Sequence, residues 1–324
     1  MKVLVTGGAG YIGSHFVRIL VNNNIECIVL DNLSRGHKES VPQSVKLEVA
    51  DLLNFEELKS VIKNNSIDAI VHFAAFAYVG ESVENPSLYY QNNVIGSYNL
   101  IKAAVETNVK KFVFSSTCSL YGNPEKVPIS EEQKTNPINP YAQTKLIIEN
   151  MLRDFEAAYG IKSVCLRYFN AAGASFDGEI GESHNPEPHL IPIVINTGLG
   201  LREKVFVYGD DYETPDGTCI RDYIHVDDLG DAHLRSLNYL NDNSESQIIN
   251  LGTGEGNSVK SIIETTEKIT KNKITSEIVG RRAGDPAILI ADNQKANMIL
   301  GWKPKYNLDD IILTAYNWHK NKRF

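Results

Sequence analysis

The sequence predicts an α/β fold, a doubly wound parallel sheet with a second, smaller α/β lobe. Three observations carry this. Short apolar runs in the first half are unbroken rather than alternating, as in strands buried on both faces of a parallel sheet. Amphipathic stretches separate those runs, so strand and helix alternate. The rhythm breaks after Asn170, where residues 171–220 turn rich in Gly, Pro and polar side chains.

In chain order, the runs "KVLVT", "ECIVLD", "KLEVAD", "DAIVHFAA", "KKFVFSS" and "KSVCLRYF" read as strands. Residues 14–23, 55–64, 93–108 and 141–160 read as helices between or after them. "GESHNPEPHLIP" and "GDDYETPDGT" read as loops. One further strand, "QIINLGTG", is followed by helical stretches that include "SVKSIIETTEKIT" and "LDDIILTAYNWHK". The expected division places residues 1–170, with a returning segment at about 222–254, in a Rossmann-type domain. Residues 171–221 and 255–324 form the second lobe. There is no internal repeat and no low-complexity tract.

Composition narrows the partners. Hydrophobic residues make up 42% and charged residues 22%, the balance of a globular protein. A net charge of −8, with no Lys/Arg run, argues against nucleic acid or an anionic membrane as partner. The four cysteines, Cys27, Cys118, Cys165 and Cys219, lack metal-like spacing and read as free thiols of a reducing compartment. The first strand opens at Lys2, leaving no room for a signal peptide, and no apolar run approaches the ~20 residues of a membrane span. The expectation is a cytoplasmic protein.

The first chemical motif is "VTGGAGYIGSH". Gly7, Gly10 and Gly13 follow the first strand and open the first helix. Glycines there make a tight turn and let a pyrophosphate approach free N–H groups at a helix N-terminus. Asp31, ending the second strand, suits the adenosine ribose hydroxyls and would repel a 2′-phosphate. Together they point to NAD, although Arg35 lies close by.

The second motif is "YAQTK", with Tyr141 one helical turn before Lys145. On its own such a pair is ordinary helix surface. The fifth strand changes that, because it ends in Ser115, Ser116 and Thr117 at the carboxyl edge where ligands bind in open α/β sheets. A phenol with a pKa of ~10 is a poor base unless a neighbouring ammonium favours its phenolate. Tyr141 as base, Lys145 as its tuner and Thr117 as orienter would suit removal of a hydroxyl proton while hydride leaves the same carbon.

The glycine pattern, the Tyr-x-x-x-Lys pair and the upstream Thr resemble the extended branch of the short-chain dehydrogenase/reductase family. "NNVIGSYNLI", "LRYFNAAGA", "GDDYETPDGTCIRDYIHVDDL" and "RRAGDPA" extend the resemblance, over essentially the whole chain, to its UDP-hexose 4-epimerases. The resemblance implies interconversion of UDP-galactose and UDP-glucose through a 4-keto sugar, with NAD regenerated in each cycle, by a homodimer. Helices 93–108 and 141–158, with Ile95, Leu100, Ile101 and Ala104, then Leu146, Ile147, Met151 and Phe155, would form the partner face.

The resemblance also implies roles. For NAD it gives Tyr11, Ile12, Asp31, Asn32, Asp51, Leu52, Phe73, Ala74, Asn92, Lys145 and Phe169, beside the three glycines. For the UDP-sugar it gives Asn170, Leu190, Tyr208, Arg221, Arg282 and Asp285, beside Thr117 and Tyr141. Guanidinium groups suit diphosphate, because they bind bidentately and stay charged. Leu289 falls where relatives hold a gate beside the sugar's 2-substituent. Ala77 and His189 depart from relatives that carry Lys and Asn there.

Other signals are weaker. His184 and His189 in "HNPEPH" lack a further ligand set and read as loop residues, so no metal is expected. "HVDD", residues 225–228, reads as an acidic helix start. Sugar-nucleotide dehydratases place an Asp-Glu pair directly after the strand-five Thr. Here Cys118 and Ser119 stand there, and neither is an acid–base pair at neutral pH. A decarboxylase lacks its acid at Ser119, and a non-catalytic NAD-sensing protein would not need the Tyr–Lys pair. A plain alcohol dehydrogenase leaves Arg221 and Arg282 unexplained.

Overall fold

The computed structural model describes residues 1–242, 245–282 and 285–324. Strands are β1 Lys2–Thr6, β2 Glu26–Asp31, β3 Lys46–Val49, β4 Ala69–His72, β5 Lys111–Ser115, β6 Lys162–Tyr168, β7 Asn170–Ala172, β8 Val205–Tyr208, β9 Ile220–Arg221, β10 Tyr223–His225, β11 Gln247–Leu251, β12 Asn257–Ser258, β13 Ser276–Val279 and β14 Ile288–Leu289. Helices are α1 Tyr11–Asn22, α2 Phe55–Asn64, α3 Val79–Glu84, α4 Pro86–Tyr89, α5 Gly96–Glu106, α6 Pro140–Tyr159, α7 Leu190–Gly198, α8 Val226–Asp242, α9 Val259–Thr270, α10 Gln294–Leu300 and α11 Leu308–Lys320. A π-helical segment, Tyr90–Ile95, joins α4 to α5.

Seven strands form one sheet in the order β11-β6-β5-β4-β1-β2-β3, with every pairing parallel. The strand order reverses between β1 and β4, and crevices for ligands open at such a point. Side chains alternate across each strand, so both faces need apolar residues. Val3 and Val5 of β1 pack with Phe16, Val17 and Leu237 of α1 and α8 on one face. Leu4, between them, packs with Leu58, Leu100 and Leu152 of α2, α5 and α6 on the other. This is why the strands read as unbroken apolar runs.

A separate core, including Val194, Ile195, Val207, Ile262, Ile311 and Ile312, lies beneath α7, α9 and α11. The expected assignment of all of residues 255–324 to the second lobe needs one correction. Ala296, Leu300 and Trp302 pack into the first core with Leu229 and Ala232 of α8. The Trp302 indole N–H also donates to the Asp228 carbonyl at 3.0 Å. A short helix at 294–300 thus returns to the sheet because its apolar face is completed there.

The expected partner face also changes. Leu100, Ile101 and Ala104 are fully buried in the sheet's own core and are closed to a partner. Ile95 and Tyr98 remain exposed, and Tyr98, Phe155 and Tyr159 make successive aromatic contacts along α5 and α6.

Candidate active site

The turn after β1 is built around glycine for lack of space. A Cβ at Gly7 would stand 2.5 Å from the Ala74 backbone nitrogen, and one at Gly13 would stand 2.2 Å from the Gly7 carbonyl oxygen. Gly10 caps α1 without a side-chain bond, and no acid occupies the first turn. The helix therefore offers unencumbered N–H groups to an anion. Asp31 ends β2 with its carboxylate accepting from Ala9 N at 3.0 Å and Leu33 N at 2.8 Å. Burial raises its pKa, and those two backbone N–H groups oppose the rise. This cradle fits the pyrophosphate and ribose of NAD.

Arg35 is already committed. Its guanidinium donates to both oxygens of Glu81, at 2.7 and 2.6 Å, and lies over Phe76 and Tyr78 at 4.3 and 4.4 Å. Its charge is neutralised there, which removes the obstacle it raised to the choice of NAD.

Helix α6 sets the catalytic pair. Asn139 caps it by accepting from Ala142 N at 2.9 Å, Pro140 fills its first turn, and Gly160 ends it at a φ of 71°. The start of the helix is thereby fixed, with Tyr141, Thr144, Lys145, Ile148, Glu149 and Leu152 on the buried face. Thr117 follows β5 and caps a short 3₁₀ turn, Cys118–Tyr121. The Thr117 and Tyr141 side chains line the same cavity wall, and the Thr117 hydroxyl donates to that of Ser119 at 3.2 Å.

Lys145 Nζ donates to the Ser115 carbonyl at 2.8 Å and stands 5.9 Å from the centre of the Tyr141 ring. Burial lowers its pKa to about 7, with Glu149, one turn further along, opposing the fall. Burial likewise pushes Tyr141 well above its usual value, and neighbouring Thr117 works against that rise. Glu149 is itself held rigidly. Arg167 bonds both of its oxygens, Ser116 donates to it at 2.6 Å, and Tyr121 accepts from Arg167 at 3.0 Å. Cys118, beside the site, is a protonated thiol: burial raises it to about 12, with Arg221 opposing.

One cavity collects most of the residues expected from sequence. Gly7, Gly10, Tyr11, Ile12, Gly13, Asp31, Asn32, Asp51, Leu52, Phe73, Ala74, Asn92, Thr117, Tyr141, Lys145, Phe169 and Asn170 line it, and so does Ala77. Asn32 orients Asp51 by donating to it at 2.9 Å.

Leu190, Tyr208, Arg221, Arg282, Asp285 and Leu289 do not line that cavity. They lie on α7, β8, β9, β14 and the segment that leads into β14. Parallel pairing of β9 with β14 sets Leu289 beside Arg221. Arg221 faces Asp285 at 3.7 Å, and Arg282 lies 4.1 Å over the Tyr208 ring. Leu289 packs against a cluster containing Cys118 and Phe169, which links the group to the cavity wall. Leu190 opens α7 and packs against the second core. Of the "RRAGDPA" stretch, residues 283 and 284 lie outside the described residues.

The reading of His184 and His189 as plain loop residues is corrected. Both meet Glu182 and Glu187 in one compact group, and Glu182, His184 and His189 line the cavity. Counting histidines alone missed this. The signal was the spacing E-x-H-x-x-E-x-H across residues 182–189.

The model of the NAD dependent epimerase/dehydratase family matches residues 3–252. A UDP-glucose 4-epimerase of Halalkalibacterium halodurans is 51% identical, over 99% of this chain and 96% of that protein. Among solved structures, the UDP-glucose 4-epimerase of Brucella ovis in complex with NAD is 47% identical, with a TM-score of 0.95 over 97% of each chain. The enzyme of Bifidobacterium longum, in complex with NAD+ and UDP, is 39% identical, with a TM-score of 0.95 over 99% of each chain.

Proposed function

The chain belongs to the NAD dependent epimerase/dehydratase family, and from that premise we propose that it interconverts UDP-galactose and UDP-glucose at the sugar's C4. The activity is that of an isomerase with NAD as cofactor. The observation that carries the reading to particular atoms is the meeting of Tyr141, Thr117 and Lys145 on the wall of the cavity that contains the glycine turn and Asp31.

NAD, held by the turn at Gly7, Gly10 and Gly13 and by Asp31, would supply a reversible acceptor for the C4 hydride. Tyr141 takes the O4 proton as that hydride leaves, so the C4–O4 single bond becomes a carbonyl. Thr117 holds O4, and Lys145 favours the ionised phenol. Arg221 and Arg282 grip the diphosphate, while the 4-keto sugar turns to present its other face. Reversal of the transfer on that face, with Tyr141 returning the proton to O4, would leave inversion at C4 as the only net change. No acid–base pair follows Thr117: Cys118 is protonated, and Ser119 lies 3.2 Å from the Thr117 hydroxyl. This disfavours water elimination and separates the reading from a dehydratase.

The test is product analysis. Purified protein given UDP-galactose should yield UDP-glucose without added cofactor and without build-up of NADH. Stoichiometric NADH release during turnover would sink the epimerase reading.

Leu289 is proposed to limit the sugar's 2-substituent, since it packs with Cys118 and Phe169 beside the site. UDP-galactose should exceed its N-acetyl form by ~10²-fold in kcat/KM, with Leu289→Ser narrowing the gap and Leu289→Tyr widening it. Equal values unchanged by both substitutions would remove Leu289 from the specificity pocket.

A homodimer through α5 and α6 is also proposed, on the exposed Ile95, Tyr98 and Tyr159. Sedimentation at micromolar concentration should give twice the chain mass, and Tyr98→Glu should shift it toward the monomer. A wild-type monomer would refute the dimer. Among the described residues no helix is long and apolar enough to cross a membrane, and a cytoplasmic site of action is proposed.

A further inference from the structure

We propose that Glu182, His184, Glu187 and His189 form a closed structural zinc site that pins the loop before α7 against the cofactor cavity. The four groups offer ligand atoms that lie within 4.8 Å of one another. Glu182 Oε1 stands 2.7 Å from His189 Nδ1 and 3.2 Å from His184 Nδ1. Glu187 stands 2.9 Å from His189 Nδ1 and 3.6 Å from His184 Nδ1. A tetrahedral zinc with bonds of ~2.0–2.1 Å sets its ligands ~3.3 Å apart, and the four contacts straddle that edge length.

Hydrogen bonding leaves part of the arrangement unpaired. His189 Nδ1 carries at most one proton yet meets two carboxylates within 2.9 Å. His184 Nδ1 and Glu187 Oε2 are buried atoms without a hydrogen-bond partner, and they face each other across 3.6 Å. A charged pair that only needed to meet would close to ~2.7–2.9 Å. Two carboxylates with two neutral imidazoles would neutralise a dication, and two nitrogen with two oxygen donors suit zinc.

The surroundings are built for a fixed site. The Glu182 carbonyl accepts from the Trp318 indole at 2.9 Å, and the Ser183 carbonyl meets His37 Nε2 at 3.0 Å. The rings of Tyr11 and Tyr78 stand edge-on to His184, at 6.4 and 5.6 Å. With all four positions taken by protein, the ion would hold the loop rather than activate water.

The experiment uses the full chain, purified without a metal-affinity step from zinc-supplemented cells and dialysed. Elemental analysis should find about one zinc per chain. Cobalt(II) exchanged into the site should give the visible absorption of a tetrahedral centre. Chelation should lower the melting temperature, and zinc should restore it. His189→Asn and Glu182→Gln should each lose at least ~10²-fold in zinc affinity, with circular dichroism reporting that each is folded. Wild-type protein with under about one tenth of a zinc per chain, after equilibration with free zinc, would overturn the site. Folded variants that keep zinc at wild-type affinity would overturn it equally.

Discussion

Replacing Tyr141 by Phe is expected to lower kcat by ~10²–10⁴ and leave UDP binding close to wild type. The ring stays, so the buried face of α6 keeps its packing and the cavity keeps its wall. What is lost is the hydroxyl that shares the cavity wall with Thr117. Both directions of the reaction need that oxygen, first to accept the O4 proton and then to return it. A step present in both halves of the cycle cannot be bypassed by changing which sugar is supplied, so the loss should be equal from UDP-galactose and from UDP-glucose. Residual turnover should draw on water, and should rise with pH more steeply than in the wild type. Titration with UDP separates binding from chemistry, because the diphosphate grip assigned to Arg221 and Arg282 is untouched. A Phe variant with near-full kcat would remove Tyr141 as the base and leave Thr117 as the nearest hydroxyl to examine.

The sheet was legible because burial on both faces leaves a direct mark. Val3, Leu4 and Val5 must all be apolar when they meet α1 and α8 on one side and α2, α5 and α6 on the other. Gly7 and Gly13 were legible for a similar reason, since a Cβ at either would overlap backbone. The second lobe left a weaker trace. Strands β9 and β14 hold two residues each, too few for any period to register. Their pairing nevertheless decides that Leu289 lies beside Arg221. The buried fate of Leu100, Ile101 and Ala104 was equally hidden, because an apolar stripe does not say whether sheet or partner covers it. Glu149 escaped notice as well. It continues the Tyr141–Lys145 face by one more turn, but its partner Arg167 comes from β6, and only the fold brings the two together.

Lys145→Met should separate two consequences of one buried charge. Activity is expected to fall by ~10²-fold or more. At 5.9 Å from the Tyr141 ring, an ammonium contributes about 3 kcal/mol to the phenolate at an effective dielectric near 20, roughly two pKa units. Without it, burial holds the phenol further from ionisation, and raising the pH should recover part of kcat. Stability should move the other way. Burial lowers the Lys145 pKa to about 7, below its value in the unfolded chain, ~10.4. Between those values the unfolded chain binds more protons, so this group makes stability rise with pH across about 7 to 10 and holds it down below about 7. Met removes the charge and keeps most of the apolar stem, so the variant should lose that slope and melt no lower than wild type near pH 6. A charge kept at a cost to the fold, and needed for turnover, is the pattern of a functional lysine. Thermal melts from pH 6 to 9 alongside kcat measure both. A variant that loses activity and also melts well below wild type at every pH would show Lys145 to be a packing residue, through its bond to the Ser115 carbonyl, rather than the group that tunes Tyr141.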